Sequence, residues 1–262
     1  MQFLISCRKK QPAGTGGEGF TLIEMILVIL LLGIIGAMGG EMISAAFKGF
    51  SDTDARMELF EEGKLALMRM EREIHIALPN AVRINGDGIE FGVIDENAMT
   101  GVFGQYTEAF PTGGNTITDR TAPLPVNTLV SIYNTSWNDF ADSSRIYSVD
   151  SVSGNQMTLG EAIGPASPSD RYYAVRPAAV RFSVAGGVLS RSIATVTAGS
   201  NLGAFGGAQT LARNITQNGG LPFFTYSAGT STRNSVVTIH FTLSNGEESV
   251  NFHKEIQVRN VP

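Results

Sequence analysis

The chain has 262 residues, 43% of them hydrophobic, and a formal net charge of −5. That size suffices for one apolar anchor and one sizeable domain, and the acidic balance argues against a general nucleic-acid surface. Cys7 is the only cysteine, which excludes an intrachain disulfide; a domain this large has core enough without one.

Residues 1–19, MQFLISCRKKQPAGTGGEG, place Arg8, Lys9 and Lys10 ahead of a polar, Gly-rich spacer. Positive charge before an apolar run predicts a cytoplasmic N-terminus and a C-terminal domain across the membrane. Gly14-Thr15-Gly16-Gly17-Glu18-Gly19 matches the dinucleotide fingerprint in form only. That motif needs a preceding strand and a turn that offers a helix N-terminus to pyrophosphate, and neither is encoded here.

The apolar run follows. Met25 to Gly40 is sixteen residues without a charged side chain, and extension back to Phe20 adds only Glu24. Twenty-one residues from Phe20 to Gly40 match the ~20 that cross a ~30 Å hydrocarbon core as a helix. A carboxylate in such a run is expensive, roughly 2.5–3.5 kcal/mol for Asp at a helix centre. Gly33, Gly36, Gly39 and Gly40 add a small-residue side that suits close helix packing, although transmembrane helices carry glycine in any case.

Gly19-Phe20-Thr21-Leu22-Ile23-Glu24, joined to that run, resembles the processing site of type IV prepilins and type II secretion pseudopilins. The resemblance implies a leader at 1–19, cleavage between Gly19 and Phe20 by a prepilin peptidase, and N-methylation of Phe20. It also implies that Glu24 serves subunit assembly, meeting the α-amino group of a neighbour in the filament core. Glu18 departs from the pattern, where a basic residue often precedes the glycine. An ordinary secretory signal does not fit, because the apolar run follows the cut. The leader carries three cations and one anion, so the chain from Phe20 onward has a net charge of −7.

Helical periodicity continues beyond the membrane. Leu59, Phe60, Leu67, Met70, Ile74, Ala77 and Leu78 fall on one side at 100° per residue, with Glu58, Glu61, Glu62, Arg69, Arg72 and Glu73 opposite. Pro79 is expected to end this helix, with Gly49 and Gly63 as possible breaks. Unbroken from Phe20 to Leu78 it would measure about 90 Å. The expected organisation is therefore a leader (1–19), a transmembrane helix (20–42), an amphipathic helix (43–78) and a β-rich domain (79–262).

In that domain Asn85-Gly86-Asp87-Gly88 signals a hairpin between Val82–Ile84 and Ile89–Phe91. From Asp95 to Asn127 no period is visible, which predicts an insertion or very short strands. Strands resume near Thr128–Tyr133, Arg145–Val152, Met157–Gly160 and Arg171–Arg176, then at Val180–Val184 and Leu189–Ile193. The last hairpin is clearest. With Asn245-Gly246 as a two-residue turn, Val237, Ile239, Phe241, Leu243, Val250, Phe252, Ile256 and Val258 share one face, and Thr238, His240, Thr242, Ser249, Asn251 and His253 the other. The expected fold class is α+β and pilin-like: a long N-terminal helix whose outer half packs on antiparallel sheet.

The order of Val180–Arg191, Leu211–Ile215, Phe224–Tyr226 and Val258-Arg259-Asn260 resembles larger minor pilins and J-type pseudopilins, including the O-type biogenesis component of mannose-sensitive haemagglutinin pili. Glu62–Leu67, Arg69–Ile74 and Leu78-Pro79-Asn80 extend this likeness. It implies a non-enzymatic subunit that initiates or tips a type IV pilus, with a tip adhesin or a type II secretion pseudopilin as alternatives. The implied partners are prepilin peptidase, other pilins through the N-terminal helix, the inner-membrane assembly machinery and membrane lipid before assembly. The implied location is the inner membrane, single-pass with a periplasmic domain, and then the pilus or pseudopilus.

No catalytic residues, metal site or cofactor are expected. H-E-x-x-H, P-loop and G-x-S-x-G motifs are missing from the sequence. His75 adjoins the apolar stripe of the helix. The two-residue turn makes His240 and His253 diagonal neighbours, and Thr238, Thr242 and Asn251 are poor additional metal ligands. Asp52-Thr53-Asp54 and the acids near Asp139 and Asp142 lack calcium-loop spacing. Trp137, near Tyr133 and Phe140, reads as a core or loop anchor in preference to an aromatic contact surface.

The processing motif is directly testable. With a co-expressed prepilin peptidase, mass spectrometry of the product should show a chain starting at Phe20, and Gly19→Val should leave the full-length chain. A new N-terminus after the apolar run would contradict the motif.

Overall fold

The computed structural model describes residues 19–99, 103–107, 113–230 and 233–258. Residues 1–18, with Cys7, Arg8, Lys9, Lys10 and most of the glycine-rich spacer, lie outside them, as do Arg259 and Asn260. Helix α1 spans Leu22–His75, and the chain divides into two compact units at Ser51/Asp52, inside that helix.

In the first unit the helix buries no side chain: every residue from Phe20 to Met38 is exposed, including Leu22 and Met38. Its most apolar stretch has a mean hydropathy of 2.6, and by length and composition the helix is able to cross a membrane.

The second unit is antiparallel throughout. Its larger sheet has ten strands, from β1 (Ala77–Asn85) and β2 (Gly88–Ile94) through β3 (Gly104–Gln105), β4 (Thr116–Thr118), β5 (Leu129–Ile132), β6 (Ile146–Ser153) and β7 (Gln156–Leu159) to β8 (Arg171–Ala185), β9 (Val188–Thr195) and β10 (Gly206–Ala212). A short helix, α2 (Trp137–Ala141), follows β5. The second sheet contains β11 (Ile215–Thr216), β12 (Phe224–Ser227), β13 (Ser235–Ser244) and β14 (Ser249–Val258). A long apolar helix followed by antiparallel sheets gives the α+β class.

From Asp52 the helix buries a narrow stripe, Leu59, Gly63, Ala66, Met70 and Ile74. These pack with Ile89, Phe91, Phe182, Val237, Ile239, Phe241, Phe252 and Ile256 in a core drawn from both sheets. The stripe differs from the expected one. Phe60 is on the rim, half exposed, with its ring stacked 6.2 Å from that of Phe252. Leu67 is only partly buried. Gly63 and Ala66 replace them because the sheet comes close: a Cβ on Gly63 would collide with the Phe252 ring. Gly63 is a contact point, not a break.

Polar pairs flank the stripe. Arg191 Nε donates to both Glu73 oxygens at 3.0 and 2.8 Å, the Arg213 N–H reaches Glu62 at 2.8 Å, and Lys254 pairs with Glu71 at 2.8 Å. The Lys254–Glu71 pair is half-exposed, and such pairs contribute about 0–1 kcal/mol. The Arg191–Glu73 pair is more buried, and its attraction is offset by desolvation. One buried Met or Ile side chain, by contrast, is worth about 1.5–3 kcal/mol. The apolar stripe therefore holds the helix, and the charges set its rotation.

The helix ends at His75, before Pro79, which lies inside β1. This corrects the expected 43–78 boundary. Ala77 pairs with Val93 and Val82 with Phe91, so β1 carries extra residues in a bulge. There Asn80 takes φ +60°, and Asn80 and Asn134 exchange side-chain bonds with the Asn134 and Pro79 carbonyls at 3.0 and 3.1 Å. The bulge turns Leu78 and Ala81 into a separate core with Trp137, Phe140 and Val175. Proline fits this site because a bulge leaves backbone groups outside the ladder.

Strand β8 joins segments that the sequence suggests are separate. Its first residues pair with β3 and β5, and its last eight pair with β2 and β9. Pro177, with no N–H to give, lies at the changeover. The patternless stretch 95–127 contributes β3, β4 and a bridge between Tyr106 and Asp119, too short to show a period. Together with β5–β7 these strands enclose their own core of Tyr106, Ile117, Val130, Val149, Met157 and Tyr172.

Gly63→Ala is expected to destabilise the chain by up to about 2 kcal/mol. Helix propensity gains ~1 kcal/mol, but crowding of a packed ring costs roughly 1–3 kcal/mol. Denaturant unfolding checks this, and Gly63→Ala combined with Phe252→Leu should be more stable than the two separate effects add up to.

Candidate functional site

Gly19, Phe20 and Thr21 precede α1 as exposed, irregular backbone. The bond between Gly19 and Phe20 is therefore accessible, and no Cβ at Gly19 would meet another group. The Thr21 hydroxyl accepts from the Glu24 N–H at 3.3 Å, and its carbonyl accepts from the N–H groups of Glu24 and Met25 at 3.1 and 3.2 Å. Thr21 is thus the N-cap, and Glu24 is the acidic residue of the first turn.

Thr-x-x-Glu is the capping-box spacing. A carboxylate there also faces the positive end of the helix macrodipole, worth typically 0.3–1 kcal/mol. That term offsets only part of the cost of a carboxylate in an apolar span, so Glu24 still lacks full compensation. The sequence reading missed Thr21; the Thr21–Glu24 spacing was the available signal. Beyond it, Gly33, Gly36, Gly39 and Gly40 have open space where a side chain would be.

The other singled-out residues go elsewhere. Trp137 is buried against Phe140, ring centroids 5.5 Å apart, with the Arg83 guanidinium 4.7 Å above its ring; it is a core anchor. Asp139 closes a capping box on Ser136 and accepts from the Thr135 hydroxyl at 2.6 Å. Burial raises the Asp139 pKa, but bonds from Thr135 and Ser136 and the Arg145 charge outweigh this and hold it below the usual carboxylate range. Asp142 accepts from the Ser144 N–H at 2.9 Å. Among the described residues no group of three or more His, Cys, Asp or Glu could hold a metal ion.

His75 is exposed beside an open groove of about 710 Å³ that also meets Leu65, Met68 and Arg72. His240 and His253 are direct cross-strand partners, not diagonal ones. The turn between β13 and β14 is four residues, Asn245–Glu248, because the Asn245 side chain accepts from the N–H groups of both Glu247 and Glu248 at 3.1 and 2.8 Å. Two extra residues keep every side chain on its expected face and change only its partner. Burial, then the His253 charge, lower the His240 pKa against the opposing pull of Glu255.

Two buried carboxylates were not anticipated. Glu90 is paired with Arg83 at 2.7 Å and Arg181 at 3.6 Å, one on each flanking strand. Asp119 accepts from the Tyr172 hydroxyl and from the N–H groups of Thr121 and Ala122. Burial and the Asp119 bond raise the Tyr172 pKa well above its ordinary value. Both are saturated by their partners, so they brace the sheet. Comparison with protein-family models, curated proteins and solved structures finds no match for this chain.

Thr21→Ala should fray the first turn of α1, at about 1 kcal/mol. Glu24→Gln should not, because the Thr21 hydroxyl bonds the backbone N–H of residue 24, which Gln retains. Amide hydrogen exchange at Leu22–Met25 in detergent micelles reads the difference.

Proposed function

We propose that this chain is a minor pilin or pseudopilin, a non-enzymatic structural subunit that takes part in initiation or tip assembly of a type IV pilus. The observation that carries this reading is the helix start: an exposed Gly19-Phe20 bond, a cap at Thr21, and a single carboxylate, Glu24, in the apolar stretch Phe20–Met38, whose side chains are all exposed. In this reading prepilin peptidase removes residues 1–19 at the cytoplasmic face and Phe20 is N-methylated. The helix then holds the subunit in the inner membrane, with the domain in the periplasm, until it leaves lipid for the filament. There Glu24 meets the Phe20 amine of a neighbouring pilin, and each charge relieves the desolvation of the other.

A second reading, a tip adhesin, is favoured by the lobe of β3–β7, whose core is distinct from the one under the helix. A type II secretion pseudopilin uses the same helix chemistry, and the proposal covers it.

Glu24→Gln in the native background tests the assembly role. It keeps the cap and removes the charge. Cleavage and membrane insertion should be normal, and incorporation into sheared filaments should drop at least tenfold, since an unpaired buried ion costs about 3–5 kcal/mol. Fewer filaments per cell would support initiation. Unchanged filaments with lost attachment would favour the adhesin, and no change in either would remove the assembly role of Glu24.

A further inference from the structure

The hairpin of β13 and β14 places two of the chain's three histidines opposite each other on its polar face. The His240 N–H bonds the Phe223 carbonyl at 2.9 Å, away from β14. His240 and His253 are therefore a non-hydrogen-bonded pair, the kind whose side chains stand closest in an antiparallel ladder. Their ring centroids are 4.6 Å apart and their Nδ1 atoms 3.0 Å apart. Without metal one ring donates its Nδ1–H to the other; with both rings as Nε2–H tautomers, the two Nδ1 lone pairs are close enough to converge on one cation beside the N–N line.

We propose that His240 and His253 form a two-imidazole site for a late first-row divalent metal, with Cu²⁺ its preferred ion. Metal–imidazole bonds are about 2.0–2.1 Å, so a 3.0 Å nitrogen separation subtends about 95° at the metal. That is the bite of adjacent positions in a tetragonal complex, the geometry of Cu²⁺ and Ni²⁺; tetrahedral Zn²⁺ needs a wider one. Affinity order among divalent ions also favours Cu²⁺. Water completes the coordination from the solvent side, where His253 is exposed.

The surroundings suit a cation. Glu255, two residues along the same face, acts on His240 with its negative charge. Asn251 and Thr242 occupy the next pair and bond each other at 2.6 Å, which ties the strands beside the site. Lys254, the nearest cation in sequence, lies on the other face and is paired with Glu71. Because the ligands come from two strands, the site exists only in the folded hairpin, and metal should stabilise the fold by mass action.

The test uses the full chain in detergent micelles, untagged and carrying Cys7→Ser so that no thiol competes. Titration with Cu²⁺ and with Zn²⁺ in a non-coordinating buffer should show one Cu²⁺ per chain, held at least tenfold more tightly than Zn²⁺. The thermal midpoint should rise with Cu²⁺, and electron paramagnetic resonance should report two nitrogen donors. His240→Gln and His253→Gln should each weaken Cu²⁺ binding at least tenfold while leaving the metal-free midpoint unchanged, and His75→Gln should have no effect. Equal binding in the His240 and His253 variants, or one nitrogen donor in the parent spectrum, would overturn the site.

Discussion

At Gly63 the helix and the β13–β14 sheet approach until the ring of Phe252 fills the place where a side chain would be. The rest of the domain depends on that approach. Leu59, Ala66, Met70 and Ile74 reach the core only because the backbone sits this low on the sheet. Phe252 in turn stacks on Phe241 at 4.9 Å, which carries the contact across the hairpin. A larger residue at 63 would lift the stripe, and the apolar faces of both sheets would then be exposed along one side. Shape limits this core more than hydrophobicity does.

By length and composition the two parts of this helix suit different solvents. From Phe20 to Met38 its side chains are exposed and apolar on every side, and from Asp52 it buries one stripe with ion pairs beside it. Lipid accepts the first pattern because it asks only that backbone groups be satisfied within the helix. Water accepts the second because the opposite face is charged. Glu24 is the exception in the first stretch. Thr21 bonds its backbone N–H, and among the described residues no cation pairs with its carboxylate.

What could be read from the sequence follows from the range of the forces involved. Alternation along Val237–Leu243 and Val250–Val258 gave the faces of the last hairpin, since burial of one face is a local rule. Partner identity across it depends on turn length, and the Asn245 side chain lengthened that turn without any change of period. The stripe was misread at Phe60 and Leu67 because periodicity ranks residues by hydrophobicity, whereas close approach selects Gly63 and Ala66. Pro79 as a helix stop failed for a related reason: the Asn80–Asn134 exchange stabilises a bulge that no local signal announces. At the candidate site the sequence motif points to Gly19, Phe20 and Glu24, and the roles it implies for them are proposals. The cap at Thr21 and the face-to-face histidines depend on backbone geometry and turn length, which no residue pattern encodes.

Strand β8 has one more consequence. Residues 95–170 leave after Ile94 and return at Arg171, and Ile94 is paired with Val175 across the ladder. The β2–β8 pairing thus closes the scaffold over a long excursion, and the excursion comes back to it beside the bulge, where Trp137 and Phe140 cover Leu78 and Ala81. The rest of the lobe has its own core around Tyr106 and Met157, separate from the stripe under the helix. Changes inside that lobe are therefore separable from how the helix is held, whereas changes at Trp137 or Phe140 are not.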